Sequence, residues 1–327
     1  MKYNFIGQSN IKVSALALGC MSFTGDANWG LQEEKDSIGA IKAAIDIGIN
    51  FFDTAEGYGN GMTEEILSKA LGKERNKVVI GSKVSPNHLN REALFKACED
   101  SLKRLGTDYI DLYQIHWPND HVDIDETMQA LISLKQQGKI REIGISNFGS
   151  SDMEKVMGYN AVVTNQMPYS LLMRGIEYEI VPKCIKNNVG ILSYSSLAQG
   201  LLTGKYKNAD EFPQRRARTR LFSTAREFTN HGESGCEKEV FEALQKIKDI
   251  ADKLGCEMSE VSLAWLLHQN GVTSVVAGGR TAEQVINNAK GVDLVLDKDI
   301  ITDLNKATQA VKEYIGANPD PWSNRIK

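Results

Sequence analysis

The sequence has few cysteines, and none are paired at a spacing typical of metal or redox sites. The 327 residues include five cysteines, far apart in the chain: Cys20, Cys98, Cys184, Cys236 and Cys256. No C-x-x-C pair occurs. An odd number of scattered thiols predicts neither a disulfide framework nor a thiolate zinc site. This composition is typical of a reducing compartment, so it favours the cytoplasm.

Long apolar runs and excess basic charge are also missing. No apolar stretch approaches the ~20 residues of a membrane-spanning helix, and the first residues, M-K-Y-N-F-I-G-Q-S, contain no apolar signal core. Lys and Arg number 38 against 42 Asp and Glu, which gives a net charge of −4. We therefore expect a protein that contacts neither a membrane nor a nucleic acid. The oligomeric state stays open.

Short aliphatic runs alternate with longer amphipathic segments along the chain. Eight runs have the composition of buried strands: Ala15–Leu18, Ile49–Phe52, Val78–Gly81, Ile110–Ile115, Glu142–Ile145, Val162–Asn165, Gly190–Tyr194 and Val272–Val276. Helical spacing of apolar residues occurs between them, for example in Gln32–Ile47, Arg91–Leu105, Asp125–Gln137, Glu177–Asn187 and Lys238–Leu254. Strands buried on both faces and separated by helices form parallel sheets that helices cover.

Eight such units predict an α/β protein whose sheet closes into a (β/α)8 TIM barrel, with residues 1–327 as one domain. A doubly wound open sheet is the alternative, but no G-x-G-x-x-G follows the first strand. Three segments exceed a minimal barrel. They are an N-terminal hairpin over Tyr3–Val13, a long loop over Gly204–Cys236 after strand seven, and a C-terminal tail over Ala317–Lys327.

Titratable residues follow three consecutive strands, at the barrel end where active sites form. Asp53 and Tyr58 follow strand two, within F-F-D-T-A-E-G-Y-G-N-G; Lys83 follows strand three and His116 follows strand four. Alone, each has an ordinary explanation, such as a turn carboxylate, a surface tyrosine, a solvated lysine or a core histidine. Together they predict a catalytic centre.

The chemistry of this set points to proton donation. A phenol has an unperturbed pKa near ~10. An ammonium ~4 Å away, at an effective dielectric of ~20, favours the phenolate by about 4 kcal/mol before desolvation opposes it. Lys83 is the candidate ammonium beside Tyr58, Asp53 its partner, and His116 the group that orients a carbonyl oxygen. Proton donation to such an oxygen is one half of a carbonyl reduction; the other half requires a hydride.

Seven motifs, in order, make the sequence similar to the aldo-keto reductases over essentially its whole length. They are F-F-D-T-A-E-G-Y-G-N-G, G-S-K-V, I-H-W-P, G-I-S-N-F, N-Q-M-P-Y-S, Y-S-S-L-A-Q-G-L-L-T-G-K-Y and A-G-G-R-T-A-E-Q-V-I-N-N. The resemblance implies an NADP-dependent oxidoreductase that binds NADPH without a Rossmann domain, takes a small-molecule carbonyl substrate and uses no metal. It also implies that Tyr58 is the general acid in a tetrad with Asp53, Lys83 and His116.

The resemblance also implies a set of cofactor contacts. Asn147 and Gln166 would hold the nicotinamide carboxamide, with Ser146 nearby and Tyr194 stacked on the ring. The pyrophosphate would lie along Ser195, Leu197, Gly200, Leu201 and Lys205. The adenosine phosphate would enter at Gly278 and Gly279, with the adenine on Gln284 and Asn288.

Arg280 supplies the charge that a 2′-phosphate needs, and its fork binds a phosphate at two points. A cation at the start of a helix is unfavourable unless an anion lies there. The residue therefore predicts a preference for NADP on chemical grounds as well as by resemblance.

Two segments leave alternatives open. The family often has Y-S-P-L where this chain has Tyr194–Leu197, Y-S-S-L, and without the proline the backbone there is freer. The Arg215–Arg220 cluster either closes over the cofactor phosphates, with Arg215 as a contact, or is a solvated surface run. Trp29 and Trp117 are candidates for the wall of a substrate pocket, as is Trp322.

Two other functions fit the same scaffold. One is a regulatory subunit, since potassium-channel β-subunits resemble this family, although no docking segment or N-terminal inactivation-type extension is visible here. The other is a lyase that uses Lys83 as a Schiff-base amine, which would require a lowered lysine pKa. The physiological substrate and the direction of the reaction are not encoded in any motif.

Overall fold

The computed structural model describes residues 1–323 and Ile326. Within these residues the strands are β1 (Tyr3–Phe5), β2 (Lys12–Ser14), β3 (Leu16–Gly19), β4 (Phe51–Asp53), β5 (Val79–Val84), β6 (Ile110–Ile115), β7 (Ile140–Ser146), β8 (Val162–Pro168), β9 (Gly190–Tyr194) and β10 (Val272–Gly278). The helices are α1 (Glu34–Asp46), α2 (Met62–Leu71), α3 (Arg91–Leu105), α4 (Ile124–Gln136), α5 (Ser150–Met157), α6 (Ile180–Lys186), α7 (Glu237–Leu254), α8 (Met258–Leu267), α9 (Ala282–Asp293), α10 (Lys298–Ala307) and α11 (Gln309–Ile315).

Strands β3 to β10 form a closed barrel in which every neighbouring pair is parallel. Strands β1 and β2 form a separate antiparallel hairpin. All residues of β5, β6 and β8 are buried, as expected for strands that face the lumen on one side and helices on the other. The predicted (β/α)8 barrel with an N-terminal hairpin is confirmed.

The hairpin closes the amino-terminal end of the barrel. Ile6 and Val13 pack inside it against Phe51, Val79 and Leu112. The chain approaches the barrel closely at Gly7, which has a φ of +48° and leaves no room for a Cβ beside the Val163 carbonyl oxygen. The hairpin thus covers this end with apolar side chains, and Asp53 and Lys83 lie towards the other end.

Several strands extend further than the sequence pattern indicated. Strand β5 runs to Val84 instead of Gly81, and β8 runs to Pro168 instead of Asn165. Polar side chains in the lumen resembled strand ends because the apolar run stops at them. As a result Asp53, Lys83 and Gln166 belong to strands, and the sheet holds their backbone.

The long loop and the tail are joined at Arg220. Its guanidinium donates to the carbonyl oxygens of Asn318 (2.9 Å) and Ile315 (3.0 Å), and its backbone N–H donates to that of Pro321 (2.9 Å). The tail predicted from the sequence includes Asn324, Arg325 and Lys327, which lie outside the described residues. In the described part of the chain, no helix combines the length and apolar character needed to span a bilayer.

Candidate active site

Lys83 lies at the centre of a buried polar group at the carboxyl ends of β4 and β5. Its Nζ donates to Asp53 Oδ1 (2.6 Å), the Thr54 carbonyl oxygen (3.0 Å) and Tyr58 Oη (3.2 Å). Each ammonium hydrogen therefore has its own acceptor. Lys83 is 0% exposed and Asp53 is 3% exposed, so water screens this ion pair little.

The turn between β4 and α2 places Tyr58 over Lys83. The Tyr58 N–H donates to the Ala55 carbonyl oxygen (3.1 Å), and the hydroxyls of Thr54 and Thr63 are hydrogen-bonded across the turn (2.7 Å). Gly61 has a φ of +89° at the start of α2, a conformation that favours glycine. The glycines in this motif thus allow a turn that returns the phenol to the strand end.

His116 contacts Tyr58 from the end of β6. The two rings meet edge to face, with centroids 5.5 Å apart, and the backbone N–H of His116 donates to the Val84 carbonyl oxygen (3.0 Å). Burial, aided by the positive charge of Lys83, lowers the pKa of His116 to about 3. The imidazole is therefore neutral at neutral pH, with one ring N–H available as a donor.

Burial and charge act in opposite directions on the other two titratable groups. Burial works against the Lys83 ammonium, but the charges of Asp53 and Tyr58 and their hydrogen bonds raise its pKa overall. Burial raises the pKa of the Tyr58 phenol more than Lys83 lowers it. The expectation that Lys83 would make the phenol acidic therefore does not hold for this site without ligand, because desolvation outweighs the ammonium.

Polar side chains from β7, β8 and β9 lie beside this centre. Gln166 Nε2 donates to Asp53 Oδ2 (2.7 Å). Asn147 Nδ2 donates to the His116 carbonyl oxygen (3.0 Å) and to Ser146 Oγ (3.1 Å), and Asn147 Oδ1 accepts from Tyr194 Oη (2.7 Å). The structure thus brings together the residues that the sequence assigned to the tetrad and to the nicotinamide.

The segment after β9 has an irregular backbone. Ser195, Ala198 and Gln199 have φ values of +51°, +46° and +57°, and the 3-10 segment Ala198–Thr203 is interrupted by a kink at Gln199 and Gly200. Arg216 donates to the Gln199 carbonyl oxygen (2.8 Å). The sequence assigned this segment to the pyrophosphate through Ser195, Leu197, Gly200, Leu201 and Lys205.

The cation that contacts this segment is Arg216 instead of Arg215. Arg215 is exposed and packs over the Phe228 ring, 4.7 Å from its centroid, whereas Arg216 is half-buried. The basic run is therefore neither a uniform phosphate clamp nor a solvated surface, because Arg215 is exposed, Arg216 and Arg218 are half-buried and Arg220 is buried. The arginine-rich motif was the signal for Arg216, but its spacing did not show which member turns inward.

Arg280 is bound by the loop between β3 and α1. Its guanidinium donates to Gln32 Oε1 (2.7 Å) and to the carbonyl oxygens of Trp29 (2.6 Å), Gly30 (3.2 Å) and Leu31. Gln32 also donates to the Arg280 carbonyl oxygen (2.9 Å). Backbone dipoles therefore offset the charge at the start of α9. Gln32, which the sequence placed inside a helix, carried no signal for this role.

The start of α9 keeps the other predicted adenosine contacts close together. Gln284 Oε1 accepts from the backbone N–H of Arg280 (2.9 Å), and the Asn288 side chain donates to the Gly278 carbonyl oxygen (3.0 Å). A Cβ at Gly279 would lie 2.6 Å from the Val285 side chain. This glycine is therefore required by helix packing, whether or not a phosphate binds.

Buried polar atoms without a hydrogen-bond partner occur in the loops around Arg216 and Trp29 as well as on the barrel strands. They include Ser22 Oγ, Trp29 Nε1, Gln199 Oε1, Arg216 Nε and Arg218 Nε. Three of the five are N–H donors, and burying them unpaired is costly. Such a donor set fits an anionic ligand that is long enough to reach from the strand ends to α9.

The tryptophans occupy different surroundings. Trp29 belongs to the loop on Arg280, and its ring centroid is 5.8 Å from the Arg216 guanidinium carbon. Trp117 is half-buried against the main core. Trp322, in the tail, hydrogen-bonds the Tyr194 side chain. This bond lowers the pKa of the Tyr194 phenol, which burial raises overall. Among the described residues, no group of three or more His, Cys, Asp or Glu side chains could hold a metal ion.

Comparison with known proteins gives one consistent result. The sequence model described as "Aldo/keto reductase family" matches residues 15–309. Aldo-keto reductase YhdN of Bacillus subtilis is 34% identical over 299 residues, 87% of each chain. A Schizosaccharomyces pombe protein provisionally named a voltage-gated potassium channel subunit beta is 32% identical over 312 residues, 90% of this chain and 88% of that one. The structure of an aldo/keto reductase from Klebsiella pneumoniae with NADP and acetate superposes with a TM-score of 0.76 at 29% identity, covering 100% of this chain and 99% of that one.

Proposed function

Because the chain belongs to the aldo/keto reductase family, we propose that it reduces aldehydes or ketones to alcohols with NADPH, reversibly, and that Tyr58 is the proton donor. The observation that carries the proposal is the Lys83 ammonium, held by Asp53 and 3.2 Å from the Tyr58 hydroxyl. The presence of NADP in the Klebsiella pneumoniae relative supports the choice of cofactor.

Bound NADPH would supply the hydride, and the residues of this chain would control the proton. Tyr58 carries its proton at neutral pH, since the pKa of an ordinary phenol is near ~10 and burial raises that of Tyr58 further. It can donate that proton to a carbonyl oxygen that gains negative charge, after which Lys83 stabilises the phenolate. Neutral His116 can donate its ring N–H to the same oxygen and so orient the carbonyl. Asp53 keeps Lys83 charged and in place.

The remaining contacts follow the cofactor from nicotinamide to adenine. Gln166 and Asn147 use their N–H groups within the protein, so their amide oxygens face a carboxamide in this proposal. The Gln166 oxygen is the more available of the two, because Asn147 Oδ1 also accepts from Tyr194 Oη. Ser146 supports Asn147, and we assign the Tyr194 ring to stacking on the nicotinamide. Further along the groove we assign Ser195, Leu197, Gly200, Leu201, Lys205, Arg215, Gly278, Gly279, Arg280, Gln284 and Asn288, and we add Arg216.

The substrate would enter where the tail and loops surround Tyr58, with Trp29 and Trp117 as candidate walls. We propose that residues 1–327 form one domain, that the partner is a small carbonyl compound and not a nucleic acid, and that the protein works in the cytoplasm. The five scattered free thiols, four of them buried, support a reducing compartment.

NADPH oxidation with a panel of aldehydes, such as nitrobenzaldehydes and methylglyoxal, tests the reductase function. Tyr58→Phe removes the hydroxyl group that donates the proton, so turnover should fall by roughly 10²–10⁴-fold while NADPH still binds. Tyr178→Phe makes the same change at an exposed tyrosine and should keep the parent rate. A Tyr58→Phe variant with the parent rate would show that the acid is another group.

A regulatory role is the second candidate, favoured by the similarity to the potassium channel subunit of Schizosaccharomyces pombe. It predicts tight NADPH binding, slow turnover with every aldehyde of the panel, and co-purification with a channel. The lyase alternative has less support, because a Schiff-base lysine needs a lowered pKa and that of Lys83 is raised. Borohydride trapping of a substrate on Lys83 would revive it.

A further inference from the structure

We propose that Gln166 is a positioning residue for proton transfer, because its amide holds the carboxylate that anchors Lys83 beside the Tyr58 hydroxyl. This inference rests on the proposed function, in which Tyr58 is the acid. It gives Gln166 a second role, in addition to the contact with the nicotinamide carboxamide that the sequence resemblance implied.

Three contacts connect Gln166 to the acid. Gln166 Nε2 is 2.7 Å from Asp53 Oδ2, Asp53 Oδ1 is 2.6 Å from Lys83 Nζ, and Lys83 Nζ is 3.2 Å from Tyr58 Oη. Gln166 is 2% exposed, so no water competes for the bond. The two oxygens of one carboxylate thus have different partners, the amide on one side and the ammonium on the other.

The orientation of the Gln166 amide follows from the carboxylate. An ionised carboxylate only accepts hydrogen bonds, so the amide must present its N–H to Asp53. The backbone carbonyl oxygen of Gln166 accepts from the backbone N–H of Asn147 (3.0 Å) and from Ser146 Oγ (3.1 Å). The backbone of Gln166 is therefore held in place as well. The side-chain oxygen accepts no hydrogen bond from the described residues and is the end left for a ligand.

The loss of this amide would act on the phenol through charge. Asp53 raises the pKa of Tyr58, and Lys83 lowers it. Without the Gln166 N–H, the charge on Asp53 is less well compensated, and the carboxylate is free to rotate away from its present position. The first change makes the Tyr58 phenolate harder to form. The second has the same sign because Lys83, which is bound to this carboxylate, would follow it away from the Tyr58 hydroxyl.

Gln166→Leu tests the proposal because leucine keeps the volume and removes the donor. Hydrogen bonds to charged groups contribute enough for a loss in kcat of roughly 10- to 100-fold with any aldehyde that the parent reduces. A second measurement uses the protein without cofactor. An ultraviolet titration of tyrosinate, taken as the difference between each protein and the same protein carrying Tyr58→Phe, should show that Tyr58 ionises at higher pH in Gln166→Leu than in the parent.

Gln166→Glu provides a conditional rescue. Two carboxyl groups at this distance cannot both be ionised, so they share a proton. The protonated form donates a hydrogen bond to Asp53, as the amide does. We therefore expect turnover close to the parent value at the acidic end of the pH range, and a steeper loss than in the parent as pH rises and the shared proton leaves.

Asn165→Ala is the matched control, since Asn165 is a buried amide on the same strand that donates to the Phe148 carbonyl oxygen. It should leave the pH profile and the Tyr58 titration at their parent positions. If Gln166→Leu weakens NADPH binding but leaves its pH profile and its Tyr58 titration at parent values, Gln166 serves only the cofactor and the proposal is wrong. If the parent reduces no aldehyde, the proposed function fails, and the titration without cofactor still decides the role of Gln166.

Discussion

The two ends of the proposed cofactor site are built in opposite ways. At the inner end, Asp53 and Lys83 lie on strands and are paired with protein groups. At the outer end, loops carry the residues, several backbone positions have positive φ, and buried donors such as Trp29 Nε1 and Arg216 Nε have no partner. The proposed catalytic centre is therefore held by protein contacts alone, whereas we expect the cofactor to complete the outer end.

This difference predicts which kinetic parameter a substitution changes at each end. Changes at the inner end should lower kcat and spare affinity, and changes at the outer end should lower affinity and spare kcat. A substitution that did the reverse would break the comparison.

The largest effect is expected at Lys83. Lys83→Met removes the cation that stabilises the phenolate, so kcat should fall by roughly 10²–10⁴-fold with little change in NADPH affinity, measured by steady-state kinetics and fluorescence titration. Lys42→Met, at an exposed site on α1, is the control. Lys83→Met leaves the Asp53 carboxylate buried without its cation. The double variant Lys83→Met/Asp53→Asn, which removes that charge, is therefore measured as well. Equal losses of kcat and affinity would contradict the division.

The next effect is expected at Arg280. Arg280→Ala should weaken NADPH by roughly 10- to 100-fold through the lost phosphate contact and leave NADH nearly unchanged. Isothermal titration with both dinucleotides measures this selectivity. Lys290→Ala removes an exposed cation from the same helix as a control. Equal losses for NADPH and NADH would remove the 2′-phosphate role from Arg280.

A pH effect on stability comes from the inner end. The folded-state pKa of His116 is lowered to about 3, so the unfolded chain takes up a proton first as pH falls. The contribution of neutral His116 to the free energy of unfolding is complete above pH ~6.5. It is lost at up to about 1.4 kcal/mol per pH unit as the pH falls from ~6.5 to about 3. Urea unfolding at a series of pH values measures the slope, and His116→Gln should make it shallower. An unchanged slope would mean that His116 is solvated.

The smallest effect is expected at Gln32, which orients Arg280 without touching the tetrad. Gln32→Leu should weaken NADPH by roughly 2- to 10-fold, with kcat and NADH affinity unchanged. Gln245→Leu, at an exposed glutamine of α7, is the control. Tighter binding in Gln32→Leu would mean that the loop competes with the phosphate for Arg280.

The inner end was also the more predictable from the sequence. Strand composition and barrel geometry brought Asp53, Tyr58, Lys83 and His116 together, since strand ends meet at one rim. The balance between burial and charge on Tyr58 was not predictable, because desolvation depends on every neighbour. At the outer end, neither the inward turn of Arg216 nor the bond between Gln32 and Arg280 follows from residue spacing, because loop conformation has no simple period.

The hydrogen bonds between Arg220 and the tail connect the long loop to the proposed catalytic centre. Trp322 lies beside Tyr194, so the loop that carries Arg220 also holds a tail residue next to the proposed nicotinamide site. Disturbing these bonds should therefore slow large substrates more than small ones. The hairpin lies at the opposite pole of the barrel, so changes there should leave kinetic measurements undisturbed.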